Sequence, residues 1–91
     1  MSEPYLISYD LDNPGQNYEG LQQAIKDNST AYYKYQKSSW LVRSNLEPSD
    51  FYEQLKSFLD TNDKILITKI SKPYYGQGTE WDWIEENIYN P

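Results

Sequence analysis

The sequence contains no cysteine and no histidine. Without thiols there is no disulfide framework, no thiolate zinc site and no cysteine nucleophile, and without imidazole there is no side chain that titrates near neutrality unperturbed. Acid-base or metal chemistry would have to rest on carboxylates, hydroxyls, tyrosines, lysines and the lone arginine, Arg43. A metal, if held, would be a hard oxygen-seeking ion such as Mg2+, Mn2+ or Ca2+. The chain also lacks an apolar run long enough to span a membrane and opens with no signal-peptide pattern. A soluble, cytoplasmic protein with no membrane partner is expected.

Positive charge is scarce at both ends. Residues 1–25 carry Glu3, Asp10, Asp12 and Glu19 and no base, and residues 73–91 carry Glu80, Asp82, Glu85 and Glu86, again without a base. The net charge of -6 argues against a whole-surface electrostatic grip on nucleic acid. The segment from Ala31 to Ser44 inverts the pattern, with Lys34, Lys37 and Arg43 and no acid, so an anion is expected to be held there.

What is present in quantity is aromatic: 10 Tyr, 3 Trp and 2 Phe among 91 residues, enough for one domain with a real core. Tyr5 to Tyr9 is an apolar run read as a strand buried on both faces, and it ends in a carboxylate, Asp10, with Asp12 and the breakers Asn13, Pro14 and Gly15 behind it. A buried strand cannot keep a charge in its middle, so Asp10 belongs where the sheet meets water or a ligand. Two readings stand there: a metal or phosphate site, or an Asx-type turn of ordinary turn formers.

Tyr18, Leu21, Ala24 and Ile25 recur at helical spacing, with Asn17 as N-cap and Asp27-Asn28-Ser29 as stop. Ala31 to Gln36 alternates as a strand, Lys37-Ser38-Ser39 turns it, and Trp40 to Ser44 returns, giving a hairpin. Pro48 opens a second helix whose stripe is Phe51, Leu55, Phe58 and Leu59, widened by Tyr52. Lys64 to Ser71 is a last strand, apolar on both sides. The order β-α-β-β-α-β predicts an α+β, ferredoxin-like domain over residues 1–72, with the first and last strands in the middle of the sheet. Residues 73–91 are read as an aromatic-rich loop and short helix, capped by Thr79, that packs on the sheet or on a partner chain. The helices cover only one sheet face, and a second copy of the chain is expected to cover the other, making a homodimer or higher homo-oligomer.

Four segments, YLISYDLDNPG from Tyr5, SSWLV from Ser38, the apolar helix after NLEPSDF, and NDKILIT from Asn62, together resemble the second CRISPR-associated protein, the small adaptation endonuclease. The likeness is closer to its Cas-like relatives in bacteria and phages, a superfamily that includes the VapD toxin-type ribonucleases. It covers residues 4–70 in order and hydrophobic pattern and leaves the tail out. The resemblance implies a ferredoxin-like homodimer in which the aspartate ending the first strand of each subunit meets its mate and holds a divalent ion. In this chain that aspartate is Asp10, preceded by Tyr9, and polar residues near the start of the third strand match Ser38 and Ser39 loosely.

Three functions follow as expectations. The first is a homodimeric protein that binds a nucleotide, RNA or DNA without efficient catalysis, through the rings of Tyr9, Tyr33, Tyr35 and Trp40, the cations Lys34, Lys37 and Arg43, and Ser38 and Ser39. A second reading makes Tyr33, Tyr35, Trp40 and Val42 simply the core face, since strand aromatics pack, and the Tyr74-Tyr75-Gly76-Gln77-Gly78 loop is a lid or only a connector. The second is a metal-dependent endoribonuclease or phosphodiesterase with Mg2+ or Mn2+ on Asp10 and Asp12, Asp10 being the catalytic residue and a metal-bound water the nucleophile. The third is an acidic, phage-type counter-defence protein that binds a basic host protein.

Overall fold

The computed structural model describes residues 2–12, 18–78 and 80–90. The expected Asn13-Pro14-Gly15 turn and the Asn17 and Thr79 caps lie outside the described residues. The elements are β1 (Glu3–Asp10), α1 (Glu19–Asp27), β2 (Ala31–Gln36), β3 (Ser39–Ser44), α2 (Pro48–Leu55), β4 (Lys64–Lys69) and α3 (Trp81–Ile84). A 3-10 turn, Lys56–Phe58, extends α2, and a π-helical turn, Glu85–Tyr89, extends α3.

The strands form one antiparallel sheet in the order β2-β3-β1-β4. With α1 and α2 this is the ferredoxin-like α+β arrangement, carrying an additional C-terminal helix. The expectation that the first and last strands lie in the middle is corrected: β1 and β3 are central and β4 is an edge. Each β-α-β crossover skips one position, so β3 fills the gap between β1 and β2, and β1 fills the gap between β3 and β4. In β4, Ile65 and Ile67 pack toward the helices while Leu66 is 59% exposed on the far face.

Period-2 alternation divides the sheet into two apolar layers. Tyr5, Ile7 and Tyr9 of β1 and Trp40 and Val42 of β3 face the helices and bury against Leu21, Ala24 and Ile25 of α1 and Phe51 and Leu55 of α2. The α1 stripe ends as its residues predict: the Asn28 side-chain amide donates to the Ala24 carbonyl at 2.8 Å and the Ser29 hydroxyl to the Ile25 carbonyl at 2.6 Å. Pro48 opens α2 with Glu47 extended before it. The 3-10 turn rotates Phe58 off the expected stripe. Its ring instead covers Gly20 of α1, where a Cβ would stand 2.7 Å from ring carbons.

The second layer answers what covers the other face. Leu41 packs with Ile84 and Ile88 of the C-terminal segment, joined by Leu6, Tyr33, Tyr35, Trp81 and Tyr89. Coverage that was expected from a twin is thus supplied, over β2 and β3, by residues 81–89 of the same chain. Arg43 fixes this closure: its guanidinium donates to the Ile88 carbonyl and, at 3.0 Å, to the Ser2 carbonyl, with Nε reaching the Ser2 hydroxyl at 3.1 Å. No helix among the described residues is long and apolar enough to cross a membrane.

Candidate functional site

The expected ligand-binding set does not converge on one place. Tyr9 and Trp40 are core: Trp40 is 1% exposed, and its indole N–H donates to the Tyr9 hydroxyl at 3.0 Å beneath the helices. Lys34 lies on that same helix-side face, donating to the Gln22 side-chain carbonyl at 3.1 Å with its ammonium 5.8 Å from the Trp40 ring. Tyr33 and Tyr35, one residue to either side, face the opposite way, because alternation along β2 forbids neighbours from sharing a face. The alternative reading of Tyr33, Tyr35, Trp40 and Val42 as a single core face is corrected for the same reason. Arg43 is occupied by the closure described above. Lys37 is exposed in the hairpin turn, and the Ser38 carbonyl accepts the Tyr9 backbone N–H at 3.0 Å. Of the expected set, Tyr35 and Ser39 do meet, at a pocket on the second face.

That pocket holds about 380 Å3. Its floor is the sheet itself, Leu6 and Ser8 of β1 with Ser39 and Leu41 of β3. Its walls are Tyr35 of β2 and Tyr74, Trp81 and Tyr89 of the C-terminal segment, with Tyr75 at the rim. The rings support one another: Tyr35 and Trp81 lie 5.9 Å apart between centroids, Tyr74 and Trp81 5.7 Å, and Tyr74 stacks on Tyr89 at 4.3 Å with 10° between planes. Gly76 is what allows the loop to approach, since a Cβ there would stand 2.6 Å from the Trp81 ring. The Tyr74 hydroxyl donates to Glu85, which also pairs with Lys72 at 3.4 Å. Desolvation and then the Glu85 carboxylate push the Tyr74 phenol up to about 12, and Tyr74 in turn holds Glu85 below the usual carboxylate range. Tyr75 differs from the other rings in being fully exposed. It belongs to the pocket yet packs on none of the rings that form it.

Beside this pocket lies a shallow depression of about 260 Å3, lined by Ser8, Tyr9, Asp10, Lys64, Ile65 and Leu66. Ser8 lines both. Asp10 is exposed at the end of β1, as expected, and pairs across the sheet with Lys64 of β4. Asp12 is exposed, and its backbone N–H donates to Asp63 at 2.8 Å. Asp63 also accepts the Asp60 N–H at 2.8 Å and the Tyr18 hydroxyl at 3.2 Å, and these donors hold its carboxyl below the usual range. The segment after β1 is therefore fastened to the loop before β4 through a carboxylate that the sequence reading had not singled out.

Asp10 and Asp12, the residues expected to hold a metal ion, both lie exposed at the end of β1. Among the described residues no group of three or more acidic side chains could hold an ion. Asp10 has a lysine as its cross-strand neighbour, and Asp12 bonds through its backbone.

The floor residues Leu6 and Leu41 and the walls Trp81 and Tyr89 were missed as site residues because their signal is tertiary: nothing local says that a tail folds back over β2 and β3. The density of Tyr and Trp after Pro73 was the only clue. No protein-family model matches the chain, and no solved structure matches it at a significant level.

Proposed function

We propose that this protein binds a nucleobase, as part of a nucleoside, a nucleotide or nucleic acid, in the aromatic pocket on the sheet face away from α1 and α2, without catalysing a reaction on it. The observation that carries the reading is the ring set itself. Tyr35, Tyr74, Trp81 and Tyr89 surround a space of about 380 Å3 above a floor that supplies the hydroxyls of Ser8 and Ser39.

A flat heteroaromatic ring gains on two counts in such a space. Stacking against tyrosine and tryptophan faces contributes about 1–3 kcal/mol per base. The floor hydroxyls donate or accept as the edge of the base requires. Tyr75 at the rim is a further ring available to close over a bound base. No imidazole or thiol is available as an acid or base, and among the described residues the lining of the pocket carries no carboxylate, so the reading is one of binding. The rings and floor residues of this pocket all come from one chain.

Calorimetric titration with the common nucleosides, nucleotides and short single-stranded oligonucleotides tests this. Saturable binding by at least one of them, weakened tenfold or more in Trp81→Ala while a distant surface variant such as Glu53→Gln binds normally, is the expected result. Flat isotherms at millimolar ligand across the whole set overturn the proposal.

A further inference from the structure

Among the described residues, the lining of the aromatic pocket carries no charged side chain, and that of the depression adjoining it through Ser8 carries two, Asp10 and Lys64. We infer that the site selects a ribonucleoside free of phosphate, with its base among Tyr35, Tyr74 and Trp81 and the 2′- and 3′-hydroxyls of its sugar on the carboxylate of Asp10. This deepens the nucleobase reading and rests on it.

Geometry and charge lead to the same ligand. Ser8 and Asp10 are two residues apart on β1 and share a face, so they are separated by about 6.6 Å at the usual strand rise. A base above Ser8 therefore brings its attached sugar toward Asp10. An ionised carboxylate only accepts hydrogen bonds, and its two oxygens match the two O–H donors of a vicinal diol. A phosphate finds no comparable partner. Lys64 faces Asp10 in the cross-strand register, so a phosphate drawn to that ammonium meets a like charge beside it. Several of the chain's other cations are engaged elsewhere: Arg43 with carbonyls, Lys72 with Glu85 at 3.4 Å, Lys69 with Glu3 at 3.3 Å, and Lys34 on the opposite sheet face. Lys37, exposed in the hairpin turn, lines neither pocket.

The test is calorimetry on the intact chain with adenosine, guanosine, cytidine and uridine, each beside its 2′-deoxy form and its 5′-monophosphate. At least one ribonucleoside is expected to bind about tenfold or more tightly than its 2′-deoxy form, the loss expected for a charged hydrogen bond. The same ribonucleoside is expected to bind more tightly than its monophosphate. In Asp10→Ala, whose fold is checked by its melting curve, the ratio of ribo to deoxy affinity is expected to fall to about one. Equal ribo and deoxy affinities in the unaltered protein, or a monophosphate that binds more tightly than the nucleoside, overturn this inference and leave the nucleobase reading standing. Absence of binding by every compound overturns both.

Discussion

Tyr35 of β2 and Trp81 of α3 lie 5.9 Å apart between ring centroids at 47°, and the Tyr35 hydroxyl donates to the Gln77 carbonyl at 3.2 Å. An edge-strand tyrosine is thereby tied twice to the C-terminal segment, once through its ring and once through its hydroxyl. Tyr33, two residues earlier on the same face, meets Trp83 at 5.9 Å. The two tryptophans of the tail are thus placed by two tyrosines of one strand, and the wall of the pocket is a consequence of how the tail docks.

The docking itself is predicted to depend on Ile88, which is fully buried against the sheet and whose carbonyl accepts from Arg43. Ile88→Ala is expected to destabilise the protein by about 2–5 kcal/mol, the range for a truncated core isoleucine. Urea unfolding monitored by circular dichroism measures it. A loss under 0.5 kcal/mol would mean that the tail is not part of the cooperative fold.

Tyr9 and Trp40 provide the opposite control. Tyr9→Phe leaves the Trp40 indole N–H buried without its acceptor and is expected to cost about 1–3 kcal/mol in stability. Ligand affinity is expected to be unchanged, because the hydroxyl removed sits at the Trp40 indole on the helix side of the sheet. A variant with intact stability and lost binding would return these rings to the site.

Asp63 sets a pH dependence. Its carboxyl is held below its ordinary value in the fold, chiefly by the Asp60 N–H and then by that of Asp12. A depressed folded-state pKa contributes stability that is fully present above the unfolded value and is lost as pH falls through the folded one. Asp63→Asn is therefore expected to melt below the unaltered protein at pH 7, with the difference closing as the solution is taken well below pH 4. Equal melting temperatures at pH 7, or a difference that grows in acid, would contradict the assignment.

The approach of α1 to the end of α2 is testable through Gly20. Alanine normally favours an α-helix over glycine by about 1 kcal/mol. At this position a Cβ would meet the Phe58 ring. In a Phe58→Ala background, Gly20→Ala is expected to stabilise by about 1 kcal/mol, while in the unaltered protein the ring contact removes that gain. Identical effects in both backgrounds would mean that the ring moves aside freely.

The elements were legible because their signals are local. Leu21, Ala24 and Ile25 mark a helical stripe, Tyr5, Ile7 and Tyr9 mark a buried strand, and Pro48 marks a helix start, all without reference to the rest of the chain. Strand order was less so: Ile65, Leu66 and Ile67 look as buried as a central strand, and only the crossover geometry sends β4 to an edge, where Leu66 is left open. The expected cluster of rings and cations on the hairpin failed because neighbours in a strand point to opposite faces, which separates Lys34 from Tyr33 and Tyr35. Asp10 was placed correctly at a strand end by its charge alone. Its cross-strand neighbour, Lys64, could be known only from the register.

The most direct measurement is a heteronuclear NMR titration with the ribonucleoside that binds best. The account predicts saturable shifts at Leu6, Ser8, Asp10, Leu41 and the Trp81 indole, with Ile7, Phe51 and the Trp40 indole still. Shifts centred on the helix-side residues, or none at any of these positions with the ligand in large excess, would contradict it.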